Sequence, residues 1–239
     1  MGQGFAGYYF QQFLYWKMKG ANPETLKRLL IDGCRQMGIF LDPGQAEAFL
    51  TYLATLQRWN RTYNLTAVKE SEEIICRHFL DSLAFLPFLT GVSGNVLDLG
   101  SGAGFPGLPL ALLLPAVRFL LVEARQKKTL FLQYITRQLG LENIEILHLH
   151  LQEGNGSTKL RGAVSVLVSR AVSVQIEVFP VAVEVLAPGG QILLSATDSS
   201  KPTIMGSLSL HDALRLQEME TVTIPFLEQQ RHMIRIVKV

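Results

Sequence analysis

The run Val96-Leu97-Asp98-Leu99-Gly100-Ser101-Gly102-Ala103-Gly104-Phe105-Pro106-Gly107 constrains the 239-residue chain more than any other stretch. An apolar β-type segment enters a turn with glycine at alternate positions and leaves into an apolar helix-type segment. Glycine permits a sharp bend and a close approach of backbone to a ligand. The bare N–H groups of such a turn, with a helix N-terminus behind them, favour a polar or anionic ligand group. Three alternating glycines also carry a backbone-entropy cost that a plain strand–helix turn does not require. The stretch therefore reads as a ligand-binding loop after the first strand of an α/β sheet.

The residues that follow repeat the alternation. Strands are expected at 96–99, 117–122, 144–149, 164–168 and 192–195, and helices at 106–114, 126–139 and 174–186. Five strands separated by helices predict a parallel, doubly wound sheet. The segments 221–224 and 233–239 look like a closing antiparallel pair, which brings the sheet to seven strands. Residues 23–90 read as helical. Pro23 and Asp42-Pro43 open two segments, with Phe49, Leu53 and Leu56 on a buried stripe, and Ser71-Glu72-Glu73 opens a third. Asn60–Thr66 reads as a polar loop. The expected division is a peripheral extension over 1–22, a helical region over 23–90 and a ligand-binding domain over 91–239.

Composition narrows the function classes. Apolar residues make up 48% and charged residues 18%, which argues against disorder. Lys plus Arg is 22 against 20 acids, so the net charge of +2 excludes a purely electrostatic nucleic-acid binder but not a local basic patch. Cys34 and Cys76 stand far apart and form neither a disulfide framework nor a thiolate metal site. The first 20 residues place Lys17 and Lys19 after the aromatic run, the reverse of a secretory leader. The most apolar stretch, Phe105–Ala124, is broken by three prolines, Arg118 and Glu123, so no membrane span is expected. A reducing, cytoplasmic setting fits best, with no metal site.

Two ligands compete for the glycine loop. Gly102-Ala103-Gly104-Phe105-Pro106-Gly107 matches the dinucleotide fingerprint, and Glu123 follows at the distance of a ribose-binding acid. The alternative frame is Asp98-x-Gly100-x-Gly102-x-Gly104. A dinucleotide has no need of an acid inside the strand end, whereas S-adenosyl-L-methionine offers a cationic end for Asp98 to face. Glu123, at the end of the second strand, suits the ribose hydroxyls of an adenosine in either case.

The string from Leu97 to Ala111, with its GAGFPG core, resembles the bacterial 16S rRNA guanine-N7 methyltransferases, also called the glucose-inhibited division protein B family. Asn64-Leu65-Thr66-Ala67, Arg77-His78-Phe79-Leu80-Asp81-Ser82-Leu83, Lys127-Lys128, Leu139–Asn143 and Ser169-Arg170-Ala171 extend the likeness over roughly residues 25–195. The resemblance implies a Rossmann-like class I methyltransferase with a helical N-terminal appendage. It implies methyl transfer from S-adenosyl-L-methionine to N7 of a decoding-region guanine in small-subunit rRNA or the 30S particle, by a monomer. By family position, Gly100, Phe105, Leu151-Gln152 and Arg170 would contact the cofactor. The family's Arg-Ala-Glu stands here as His150-Leu151-Gln152; Gln152 keeps a carbonyl for an adenine amino group without the charge, and Glu153 takes the contact if the register slips by one.

Guanine N7 carries a lone pair and no proton at neutral pH, so in-line attack on a methyl sulfonium needs no general base. Holding the two reactants in line supplies most of the acceleration. Arg170, after the fourth strand, is expected beside the reacting centre. Arg125, Lys127 and Lys128 are expected to meet RNA phosphates. Asn64 is either a loop cap or an RNA contact, and His78 either a packing residue or a functional one. A methyltransferase acting on another substrate, or a nucleotide-binding protein without methyl transfer, remains open, because fold does not fix substrate.

Overall fold

The computed structural model describes residues 22–151, 158–170, 172–227 and 230–239, with the side chains of 172–177 left aside. The described residues begin with two helices, α1 (Pro23–Gln36) and α2 (Pro43–Tyr63). Each starts on a side-chain cap. Asn22 accepts from Thr25 N–H at 2.9 Å, and Asp42 and Gln45 form a reciprocal capping box with Pro43 in the first turn. Caps of this kind stabilise a helix by about 1 kcal/mol each. A continuous helical run follows: α3 (Ser71–Ile74), a wider π-helical stretch (Ile75–Leu80) and α4 (Asp81–Leu83).

The sheet then alternates with helices: β1 (Asn95–Leu99), α5 (Gly107–Leu113), β2 (Arg118–Glu123), α6 (Gln126–Gln138), β3 (Ile144–His148) and β4 (Val164–Ser169). After these come α7 (Val172–Val185), β5 (Leu186–Ala196), α8 (Lys201–Leu208), β6 (Leu214–Thr223) and β7 (Gln230–Lys238). The strand order is β3-β2-β1-β4-β5-β7-β6. Strands β1 to β5 run parallel, and β7 lies antiparallel between β5 and β6. This is the mostly parallel seven-stranded Rossmann-like sheet expected from the sequence, with helices on both faces.

Strand alternation divides the core in two. Val96, Phe119, Leu121, Val166 and Val168 pack on one face with α1, α2, the α3–α4 run, α5 and α6. Leu97, Leu120, Val122, Leu167 and Ile192 pack on the other, where α7 and α8 contribute Phe179, Ala182, Ile204 and Leu208. The N-terminal helices thus share a core with the sheet.

Three elements differ from expectation. The Asn60–Thr66 loop is mostly helix: α2 continues to Tyr63, and Asn60 is buried with its side chain accepting from Thr66 N–H at 2.9 Å. Helix α8 carries Pro202 and Gly206 and gave no periodic signal. Strand β6 begins at Leu214 rather than near Thr221. It is an edge strand, mostly exposed, and its charged positions blunt the alternation by which a strand is read.

The chain reverses direction across the sheet at β1 and β4. Ligand sites in such sheets lie beyond the strand carboxyl ends at this switch point. Here Ser169 donates to the carbonyl of Leu99 at 3.4 Å, so Gly100 and Arg170 emerge side by side.

Candidate active site

A cavity of about 480 Å³ opens above this switch point. It is lined by Gly100–Ala103 and Phe105 of the glycine loop, by Thr66, His78 and Asp81 of the N-terminal region, and by Lys128, Arg170 and Arg231.

The glycine loop is held from three sides. Gly100, Gly102 and Gly104 have φ of 74°, 60° and 104°, a region that L side chains rarely adopt. Glu123, buried at the end of β2, accepts from Gly102 N–H at 2.9 Å through Oε2 and from Arg125 N–H at 2.8 Å through Oε1. From the other side Tyr52 of α2 donates its hydroxyl to the carbonyl of Ala103, and its ring stacks on Phe105 at 5.4 Å. A Cβ on Gly104 would stand 2.7 Å from that hydroxyl.

Asp98 supports the loop from below. It is fully buried, and Oδ2 accepts from Gly107 N–H at 2.9 Å. Asp98, expected to face the cationic end of the ligand, is not among the residues that line the cavity. It shares the strand face of Val96, so its side chain runs beneath the start of α5. Oδ1 has no hydrogen-bond partner among the described residues, and burial raises the carboxyl to about 7. Ionisation there costs free energy unless a cation comes near.

Arg170 is the hub of the polar contacts around the cavity. One terminal nitrogen donates to Asp81 Oδ2 at 3.0 Å, to Ser82 Oγ at 3.3 Å and to the carbonyls of Arg77 and His78. The other lies 3.2 Å from His78 Nδ1, and the guanidinium sits 5.5 Å above the Phe105 ring. Nε has no partner among the described residues. Asp81 uses its second oxygen to accept from Arg231 Nε at 2.9 Å. The Asp81 carboxylate, at the start of α4, therefore ties the residue after β4 and strand β7 into one cationic cluster.

His78 is stacked on Phe105 at 4.6 Å, with Nε2 at 2.8 Å from Thr66 Oγ1. Burial, and then the Arg170 charge, lower its pKa to about 3. The ring is neutral at neutral pH; Nδ1 lies 3.1 Å from the Arg77 carbonyl as well as 3.2 Å from Arg170, so its contacts admit either tautomer. Its ring resonances should stay flat between pH 5 and 8 in NMR spectra. A midpoint near 6.5 would contradict this geometry.

Residues 45–234 match the profile of the family described as rRNA small subunit methyltransferase G. The protein of that name from Burkholderia thailandensis is 34% identical over 219 residues, covering 90% of this chain and 93% of the relative. The chain belongs to this family. A second member of that name, from Stutzerimonas stutzeri, is 42% identical over 142 residues, 59% of this chain and 66% of the relative. Among solved structures, TrmN from Thermus thermophilus aligns with a TM-score of 0.55 at 16% identity, covering 69% of this chain and 53% of TrmN. A SAM-dependent methyltransferase from Aquifex aeolicus aligns at 0.54 and 15%, covering 66% and 90%. At such identities the likeness is one of fold.

Within this methyltransferase G fold the expected site residues separate into groups. Gly100, Gly102, Phe105 and Arg170 line the cavity together with His78 and Lys128. Gly104 and Glu123 lie immediately behind it, bracing the loop. Leu151 is buried and packs with the second core cluster; Gln152 and Glu153 lie outside the described residues. Asn64 is exposed in the left-handed conformation that ends α2, and it lines a separate 360 Å³ hollow with Arg61 and Lys69. Lys127 and Lys128 part company: Lys128 faces the cavity, whereas Lys127 is exposed 6.0 Å over the Tyr63 ring. Arg125 is exposed at the start of α6.

Sequence reasoning missed Tyr52, Asp81 and Arg231. A tyrosine on the apolar stripe of α2 was one available signal, since a buried hydroxyl needs a partner. An aspartate on an otherwise apolar helix was another, since buried charges are paired. Arg231, 150 residues from Asp81 in the chain, left no local trace.

Proposed function

We propose that this chain transfers a methyl group from S-adenosyl-L-methionine to N7 of a guanine in the decoding region of small-subunit rRNA. The observation that carries the reading is the convergence of the glycine loop and Arg170 on one cavity in a chain of this family. The residues present suit the cofactor. Gly102 leaves open space where a Cβ would stand, with Lys128 Nζ the nearest atom at 3.7 Å. Glu123 fixes the loop and keeps lone pairs for ribose hydroxyls. The buried carboxyl of Asp98 braces the loop through Gly107, and its ionised form would favour a cationic ligand end nearby. When bound, the cofactor supplies an electrophilic methyl on a positively charged sulfur.

The chain's own task is then orientation. N7 needs no deprotonation, and the titratable groups of the cavity are already committed. His78 is held neutral between Thr66 and Arg170, and Asp81 is paired with two arginines. Neither is poised to remove a proton. Arg170 lines the cavity in a position fixed by Asp81, Ser82 and two carbonyls, and its guanidinium is the group that would donate to guanine O6, so that N7 stays free to react.

The direct test is methyl transfer to 16S rRNA and to 30S particles, with N7-methylguanine mapped by strand scission. Methylation of an atom that must first lose a proton would overturn the base-free mechanism. Two more results are expected. S-adenosyl-L-methionine should bind more tightly as pH rises from 6 to 7.5, because a cation favours ionised Asp98, and Asp98→Asn should flatten that dependence in calorimetry. Lys127→Ala should raise the Michaelis constant for RNA and reduce its salt dependence by about one counterion. Lys128→Ala should weaken cofactor affinity as well, since its ammonium group faces the cavity. Equal effects of the two lysines would contradict their different placement.

A further inference from the structure

Outside the cavity, one face of the molecule joins exposed aromatic rings to a segregated charge. The segments 48–69 and 124–141 contain no aspartate or glutamate. The first carries Arg58, Arg61 and Lys69, and the second Arg125, Lys127, Lys128 and Arg137. Seven of the chain's 22 cations thus fall in 40 residues that hold none of its 20 acids, in a protein whose net charge is only +2. These segments form α2 and α6, which lie side by side, linked by Thr55 donating to Gln138 at 3.0 Å.

Between them runs a row of rings. Trp59 lies 5.3 Å from Tyr63 and 5.3 Å from Tyr134, and its inner side meets the buried Phe131 at 5.6 Å. Tyr63 and Tyr134 are 42% and 41% exposed, and neighbouring Leu130 is 50% exposed. A cation stands near each exposed ring. Arg58 donates to the Tyr134 hydroxyl at 2.8 Å, with its guanidinium 5.6 Å from that ring's centre, and Lys127 stands over Tyr63. The row lies beside the active cavity in the chain: Lys128 follows Lys127, and Leu65 and Thr66 come just after Tyr63.

We infer that this row is a stacking shelf for unpaired nucleotides of the RNA substrate. Tyr63 and Tyr134 would take base faces, while Arg61 and Lys127 would take the phosphates between them. The inference rests on the methyltransferase reading for the identity of the strand, but its observations are the shelf's own. Alternating rings and cations suit a single strand, which offers a π-face and a negative charge at every residue. A double helix hides its base faces and would use the cations alone. An acidic protein segment would also be attracted by the charge, but it supplies no repeated planar face.

The test uses the full chain with Trp16→Phe, which leaves Trp59 as the single tryptophan, and two probes of equal length: a twelve-residue oligouridylate and an abasic phosphodiester strand. Oligouridylate should quench Trp59 fluorescence and bind at least tenfold more tightly than the abasic strand, as loss of one stacked base implies. Tyr63→Ala with Tyr134→Ala should remove that advantage and raise the Michaelis constant for the 30S particle, leaving turnover and cofactor affinity unchanged. Tyr63→Phe with Tyr134→Phe, which keeps the rings, should restore both. Equal binding of the two probes, an unquenched Trp59 or an alanine pair that binds like the parent would overturn the shelf. So would a polyglutamate peptide that displaces oligouridylate and quenches as strongly, which would make the face a protein contact. Failure of the methyltransferase reading is distinguishable, because the parent itself would then methylate no rRNA.

Discussion

Gly102→Val should abolish binding of S-adenosyl-L-methionine, by about 100-fold or more in calorimetry, while the protein stays folded. Gly102 has φ of 60°, so a valine there carries a backbone cost of about 1–2 kcal/mol. No steric clash adds to it: the nearest atoms to an added Cβ are Lys128 Nζ at 3.7 Å and the Gly100 carbonyl at 3.8 Å. The open space is the cavity itself, so the new side chain would occupy the ligand's volume rather than the core. Gly104 and Gly107 differ in kind. A Cβ on Gly104 would meet the Tyr52 hydroxyl at 2.7 Å, and one on Gly107 would meet Leu121 Cδ2 at 2.4 Å and Asp98 Oδ2 at 2.7 Å. Alanine at either position overpacks the core, at a typical cost of about 1–3 kcal/mol, with strain at the positive φ of Gly104 in addition. Thermal unfolding should therefore separate the glycines. Gly104→Ala and Gly107→Ala should lower the melting temperature more than Gly102→Val, although valine is the larger residue. Parental cofactor affinity in Gly102→Val would place the ligand elsewhere.

This division of labour among glycines shows where local sequence carries information and where it does not. The spacing of Gly100, Gly102 and Gly104 after an apolar strand announces a loop, because positive φ and strand–helix order are local properties. Which glycine serves the ligand and which serves packing depends on Tyr52, 51 residues upstream of Ala103, and on Leu121 in the next strand. The same limit applies to Asp98. Its position before the glycines was legible, but its burial follows from the parity of β1 and from α5 lying over that face. Lys127 and Lys128 read as one basic pair, and only the helix rotation about α6 sends one to the cavity and the other to the shelf. Parallel strands β1, β2 and β4 were legible because buried strands are largely apolar. The edge strand β6 was legible only in its last residues, since an exposed strand guarded by charges lacks that signature.

Arg170→Ala should lower turnover on 30S particles about 100-fold, the scale of loss when reacting groups are misplaced by about an ångström, with a smaller change in cofactor affinity. Arg170 fixes the wall of the cavity by holding Asp81, His78 and two carbonyls at once. Its removal does not orphan the buried carboxylate, because Asp81 keeps Arg231 at 2.9 Å. The stability loss should therefore fall below the 3–5 kcal/mol typical of breaking an isolated buried pair. His78 reports the same event independently. Its depressed pKa means that the unfolded state binds more protons between about pH 3 and 6.5, so stability is present above pH 6.5 and declines as pH falls through that window. Loss of the Arg170 charge removes one of the two main causes of the depression, so the His78 pKa should rise and the acid-side decline should shrink. Arg170→Lys should not restore turnover, since one ammonium group cannot reproduce the planar fork that reaches Asp81 and His78 Nδ1 together. At saturating cofactor the pH profile of turnover should keep its shape in both variants, because no proton is removed from N7. Full turnover in Arg170→Ala, or a His78 pKa unmoved by it, would remove Arg170 from the reacting centre.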